Sequence, residues 1–200
     1  MFKMKSIFFE NFLFFIVLLN PVSKIIVLSS LGVTNNFNEL KNISLKATIT
    51  AMIILFLFSF AGTFILKKIF RIEIYSLQIV GGIVLFLIGL RALQKGEFFE
   101  LDIHQKIKDI AVVPIASPMI AGPATITASI SQSAIYGPFI TYISIFSALS
   151  VNFVLMILAG EINAFLKKYN LLGPLVRITG LFIASIGVNM ALTGLKTFLK

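Results

Sequence analysis

The chain has no cysteine and no tryptophan, and only one histidine among its 200 residues. Without cysteine it can form no disulfide, bind no metal through a thiolate and carry out no thiol catalysis. The histidine, His104, lies near Asp102 and Asp109 in a polar stretch, whereas metal sites need several ligands held together. No Ser-His-Asp order, glycine-rich phosphate loop or CxxC motif is present. We therefore expect neither an enzyme nor a cofactor or metal site.

Charge is also scarce. Only 12% of the residues are charged and only 8 are acidic, against about a quarter charged in soluble domains. The carboxylates lie at or beyond the ends of the apolar blocks, so no buried carboxylate proton relay is expected. The 17 Lys and Arg residues lie mainly between those blocks and not along one face. Their expected partners are anionic lipid headgroups, and nucleic acid is not expected.

Apolar residues dominate the chain, at 58% of the total with a mean hydropathy of +1.01. They form blocks of roughly 20 residues, the length of helix that crosses a hydrocarbon core of about 30 Å. The first block begins like a signal peptide but continues without a cleavage site, so we expect a retained span. The sequence predicts an all-α, multi-pass membrane protein, and the family resemblance described below implies the bacterial inner (cell) membrane as its location. Its six predicted spans are Phe8–Leu31, Ile43–Leu66, Ile74–Leu93, Ala111–Ile130, Pro138–Ala159 and Leu171–Leu195.

The two halves of the chain resemble each other. The stretch "AGTFILKKIF" from Ala61 matches "AGEINAFLKKY" from Ala159, and the spans that follow align Gly82 with Gly180 and Gly89 with Gly187. The alternative is a chance likeness between simple apolar segments. Duplication predicts a first repeat over 1–96, a polar linker over 97–109 and a second repeat over 110–200. Three spans in each repeat would insert the halves in opposite orientations, as in many secondary transporters.

The first span of each repeat contains a helix breaker, Asn20-Pro21 in one and Gly122-Pro123 in the other. Proline ends one helical segment but fits the first turn of the next. The restarted helices would turn free amide groups and positive dipole ends into the membrane interior. Such groups are tolerated there only if they are buried in protein or line a wet cavity. The pair predicts a site for a small anion or carboxylate near mid-depth; the alternative is that the prolines merely kink their helices.

The stretches "NPVSKIIVLSSL" and "VPIASPMIAGPATIT" resemble the paired Asn-Pro and Ala-Gly-Pro signatures of the MarC family. Asn20 and Pro21 match the first signature, and 121–123 match the second. The resemblance implies a multi-pass inner-membrane protein associated with transport of small neutral amino acids. This chain departs from the family pattern by having Ser, Lys, Ile and Ala at 23, 24, 26 and 124, where Gly, Asn, Pro and Gly are usual.

Lys24 has two interpretations. Its ammonium could lie beside a substrate carboxylate, since charges within a membrane usually face a cavity. Alternatively, its long side chain could reach toward the headgroups. Weaker polar candidates, which more often bond neighbouring carbonyls, are Ser117, Ser129, Asn152 and Asn189. The predicted substrate-binding residues are Asn20, Pro21, Val22, Ser23, Lys24, Gly122, Pro123, Ala124, Thr125 and Thr127.

Two functions of different classes are consistent with these patterns. One is a secondary transporter of small neutral amino acids or similar small zwitterions, which a coupling ion, Na⁺ or H⁺, would drive. The other is a non-transporting membrane scaffold that keeps the fold but has an altered site.

Overall fold

The computed structural model describes residues 2–96, 116 and 119–199, and these residues form helices and short connections with no strand. This agrees with the predicted all-α class. The α-helices are α1 Phe2–Leu19, α2 Pro21–Ser30, α3 Phe37–Phe64, α4 Ile74–Lys95, α5 Pro123–Tyr136, α6 Pro138–Ile157, α7 Ala159–Lys168 and α8 Leu172–Phe198. A 3₁₀ turn occupies Val33–Asn35, and a π-helical segment, Ile65–Phe70, extends α3.

The first predicted break lies at Asn20, between α1 and α2. Asn20 adopts a left-handed backbone conformation, with φ 46° and ψ 73°, which asparagine tolerates better than most residues. Its amide donates back to Ile16 O at 3.1 Å and closes α1. Pro21 then opens α2, where its missing N–H costs nothing because the first helical amides have no partner within the helix.

The second predicted break is also present. Gly122 is extended, with φ −86° and ψ 172°, and Pro123 is the first residue of α5. This helix has only 14 residues, or about 21 Å at about 1.5 Å per residue, so it covers less than a hydrocarbon core of about 30 Å. It ends before Gly137, whose φ of 85° suits glycine, and α6 begins immediately afterwards.

Five helical stretches among the described residues are long and apolar enough to cross a membrane: Lys5–Ser30, Phe37–Ile69, Ile74–Lys95, Pro138–Ile157 and Leu172–Phe198. They correspond to five of the six predicted spans. The second begins well before the predicted Ile43 because Asn36 caps α3, its side chain accepting from the amides of Asn38 and Glu39. The predicted span Ala111–Ile130 lies partly outside the described residues.

Helix α7 was not predicted, since the sequence between the last two spans was interpreted as a spacer and a turn. Its buried residues, Ala159, Asn163 and Leu166, follow helical spacing along one face. A Cβ added to Gly160 would lie 3.3 Å from Thr34 Cβ, so α7 packs beside the turn that follows α2. The helical spacing of these residues is visible in the sequence, but the segment is short beside the two long spans that flank it.

Helices α4 and α8 pack against each other through glycine, and they are antiparallel. A Cβ added to Gly82 would lie 2.5 Å from Gly187 O, and one added to Gly89 would lie 2.5 Å from Gly180 O. The backbones therefore touch at both points, as small residues allow where membrane helices pack closely.

Helix α5 lies in the interior, between α3 and α4. A Cβ on Gly62 of α3 would meet Ile130 Cγ1 at 2.5 Å, and one on Gly81 of α4 would meet Thr127 Cγ2 at 2.5 Å. Its hydroxyl residues are nearly all buried, although the helix is the least apolar of those around it. The outer faces of the bundle carry large exposed hydrophobic side chains instead, as expected for surfaces that face lipid.

Candidate functional site

The two helix breaks meet at one small cavity of about 60 Å³. Residues from the first break and from the second form its polar side, and apolar side chains of α4 and α8 close the other side. The lining consists of Leu18, Asn20, Ser23, Lys24, Leu85, Ile88, Met119, Gly122, Pro123, Ala124, Thr125 and Ile183. Since one water takes up about 30 Å³ in the liquid, the space holds roughly two waters.

The first break is held in shape by Asn20 and Ser23. The Asn20 side chain accepts from Ser23 N at 3.4 Å, and the Ser23 hydroxyl donates to Asn20 O at 2.8 Å. Both residues are buried. These local bonds give buried polar groups at the break partners in place of the helical hydrogen bonds that the break removes.

Lys24 is the most buried charged residue at the site, with only 1% of its surface exposed. Its ammonium donates to three main-chain carbonyls: Leu19 O, Met119 O at 2.8 Å, and Asn20 O at a longer 3.5 Å. Among the described residues no carboxylate lies within ion-pair distance of it. The interpretation in which Lys24 reaches toward the headgroups is therefore wrong, because its side chain points into the protein.

Thr125 organises the second break in a similar way. Its hydroxyl lies 2.7 Å from Ile120 O and 3.0 Å from Gly122 O, so it ties the start of α5 to the segment before it. No side chain caps α5, and its first described backbone bond runs from Ile126 N to Gly122 O at 2.9 Å. The first turn of α5 thus presents backbone amides beside the cavity.

Seven of the ten predicted substrate-binding residues line this cavity: Asn20, Ser23, Lys24, Gly122, Pro123, Ala124 and Thr125. The other three lie outside the lining. Pro21 opens α2, and Val22 is half-buried against the hydrophobic core. Thr127 packs against Gly81 of α4.

The weaker polar candidates lie elsewhere. The hydroxyl of Ser129 bonds Ile126 O at 2.8 Å, and the amide of Asn152 donates to Met156 Sδ at 3.2 Å. Asn189 is exposed on α8. Ser117 and His104 are outside the described residues, and no cluster of metal-ligating side chains occurs within the part of the chain that the structure covers.

The sequence did not identify the apolar wall of the cavity or the role of Met119. Leu85 and Ile88 come from α4 and Ile183 from α8, and they have the same residue types as the rest of their spans. Met119 contributes its main-chain oxygen to Lys24, and a carbonyl is present at every position. Only its place just before the Ala-Gly-Pro stretch could have indicated it.

These features define an α-helical integral membrane protein in which the starts of α2 and α5 meet at one small cavity. The chain belongs to the MarC family: the model of the MarC family integral membrane protein matches residues 5–199. It is 36% identical over 182 residues to a UPF0056 membrane protein of Pyrococcus horikoshii, which covers 91% of this chain and 90% of that protein.

Other relatives carry the same description. A UPF0056 membrane protein of Aquifex aeolicus is 29% identical over 205 residues, covering 97% of this chain and 94% of its own. The UPF0056 membrane protein YvbG of Bacillus subtilis is 29% identical, covering 88% of each chain. No solved structure matches the chain.

Proposed function

We propose that this protein is a secondary transporter of small neutral amino acids, or of similarly small zwitterions, across the cell membrane. The observation that carries the proposal is that both helix breaks, although about 100 residues apart, open onto one cavity. Helices that restart beside a cavity provide amide donors and a positive dipole end for a carboxylate. Carbonyls that lose their helical partners provide acceptors for an ammonium group.

The directions of the two restarted helices support this arrangement. Helix α2 leads through the turn at Val33–Asn35 into the start of α3, while α5 packs beside the far end of α3, where Gly62 meets Ile130. The two helices therefore run from the cavity toward opposite ends of α3. Their N-termini approach the cavity from opposite sides, as expected if each belongs to one of two oppositely inserted repeats.

The contacts between α4 and α8 support the inverted repeat as well. In the sequence alignment of the halves, Gly82 corresponds to Gly180 and Gly89 to Gly187. In the structure Gly82 touches Gly187 and Gly89 touches Gly180. Exchanging the halves thus converts one contact into the other, which is the behaviour of a pseudo-two-fold axis between antiparallel helices.

The size of the cavity favours a small substrate. A cavity of about 60 Å³ is far smaller than the pockets of about 300 Å³ or more that hold larger ligands, so the smallest amino acids, glycine and alanine, are the best candidates. The absence of a carboxylate beside Lys24, in the described part of the chain, favours a neutral zwitterion over a cationic substrate.

A second function, a membrane scaffold without transport, is favoured by one specific observation. The Lys24 ammonium already occupies three carbonyls at the meeting point of the breaks. A fixed internal ligand of this kind would suit a protein that keeps the fold and has no substrate to move.

The test is uptake of labelled glycine and alanine by liposomes that contain the purified full chain. A transporter gives saturable uptake that unlabelled alanine competes with, while protein-free liposomes give only leakage. Labelled glutamate and lysine serve as charged comparisons and should be transported far less. Uptake that never rises above leakage for any of the four, with folded protein in the vesicles, would support the scaffold.

A further inference from the structure

The main-chain oxygens around Lys24 converge from two separate parts of the chain. Leu19 O lies at the carboxyl end of α1 and Asn20 O in the first break, whereas Met119 O precedes the second break. We call these three oxygens the carbonyl cage. All three point at one nitrogen, and Lys24 Nζ is buried among them.

The chemistry of the carbonyl cage is that of a cation site. The last carbonyls of a helix lack amide partners and lie at its negative end. Broken transporter helices use such unwound carbonyls to coordinate cations, and oxygen is the ligand that hard cations prefer. We propose that the carbonyl cage is a site for one monovalent cation, and that in this chain the Lys24 ammonium is its permanent occupant.

The hydrogen bonds of the ammonium support this assignment over direct substrate binding. An ammonium has three donors and no acceptor. The carbonyl cage offers it Leu19 O, Met119 O at 2.8 Å and, at a longer 3.5 Å, Asn20 O, which also accepts from the Ser23 hydroxyl at 2.8 Å. Pairing with a substrate carboxylate would require the ammonium to give up one of these bonds. Lys24 Nζ therefore joins the carbonyl end of the first break to the segment that precedes the second break.

A consequence is that no free Na⁺ is needed at the carbonyl cage. Uptake by the native protein should therefore be unchanged when choline replaces Na⁺, an expectation that rests on the proposed transport function. Cation binding does not depend on transport and can be measured on purified protein in detergent.

The decisive variant is Lys24→Ala, which removes the ammonium and leaves the carbonyls in place. Lys46→Ala is the matched control, because Lys46 is exposed on α3 and its loss changes the net charge equally. Each protein is tested for binding of sodium-22 and for its melting temperature in NaCl and in choline chloride of equal ionic strength. Lys24→Ala should bind at least about tenfold more Na⁺ than the native chain. Its melting temperature should rise saturably in NaCl by about 2–6 °C, whereas the other two proteins should show no difference between the salts.

Three outcomes would overturn the proposal. Folded Lys24→Ala protein that binds no more Na⁺ than the native chain would show that the carbonyls hold no free cation. Stoichiometric Na⁺ binding by the native chain would show that the site for Na⁺ lies elsewhere. A variant that stays unfolded in both salts would show that a free cation cannot replace the ammonium, whereas folding in NaCl alone would support the site. None of these results depends on whether the protein transports an amino acid.

Discussion

The substitution Gly89→Ala tests the contact between α4 and α8. A Cβ at this position would lie 2.5 Å from Gly180 O and 2.8 Å from Ala184 Cα, whereas ordinary van der Waals contact begins at 3.4 Å. The obstructing atoms belong to the backbone, so no side chain can rotate away, and the helices must separate by about 1 Å. Overpacking of this kind costs about 1–3 kcal/mol.

The expected result is a fall in melting temperature. At about 2–4 °C per kcal/mol for a chain of this size, the fall should be about 2–12 °C. Uptake should decrease as well, because Leu85 and Ile88 of α4 and Ile183 of α8 form the apolar wall of the cavity. Gly173→Ala is the control, since nothing apart from its chain neighbours lies within 4 Å of a Cβ there.

The measurement is thermal unfolding of both variants in the same detergent, followed by gel filtration to count folded protein. Equal melting temperatures for Gly89→Ala and Gly173→Ala would refute the reasoning, because a methyl group would then fit between the two backbones.

Three further substitutions test the breaks and the cavity. Pro123→Ala should let α5 extend backward, so that its free amides pair within the helix. Loss of one charge-assisted hydrogen bond to the substrate costs about 1.5–3 kcal/mol and should weaken substrate binding about tenfold or more. Pro138→Ala, at the start of α6, is the control and should leave binding nearly unchanged in the same assay. Asn20→Ala should lower the melting temperature more than Asn20→Gly. The reason is that alanine costs about 1–2 kcal/mol in a left-handed conformation, which glycine adopts freely. The reverse order of melting temperatures would contradict the φ of 46° at this position. Thr125→Val should reduce both the melting temperature and uptake, because it removes the hydroxyl that lies beside Ile120 O and Gly122 O. Thr125→Ser keeps the hydroxyl and should recover most of the loss in both measurements.

The helix breaks were predictable from sequence because their causes are local. Proline removes a donor wherever it stands, and asparagine or glycine before it supplies the unusual backbone conformation. The start of α3 was placed too late because a span was read from hydropathy alone, while the cap at Asn36 extends the helix into polar sequence.

The composition of the site was harder to predict. Lys24 stays a predicted site residue that lines the cavity. Its partners are main-chain oxygens, and these leave no trace in residue identity. Thr127 has the same chemistry as Thr125 and lies two positions away, yet helical geometry turns it toward Gly81 instead of the cavity. Such choices depend on the neighbouring helices, which a single sequence does not specify.

The glycine contacts between α4 and α8 have a consequence for how these positions can change during evolution. When two side chains touch, a larger residue on one side can be compensated by a smaller one on the other, and the pair covaries. Here backbone meets backbone at Gly82 with Gly187 and at Gly89 with Gly180, so neither partner has a side chain left to shorten. Each position must stay small independently of the other. The contact between α4 and α8 is therefore one that correlated substitutions within these two glycine pairs would fail to detect.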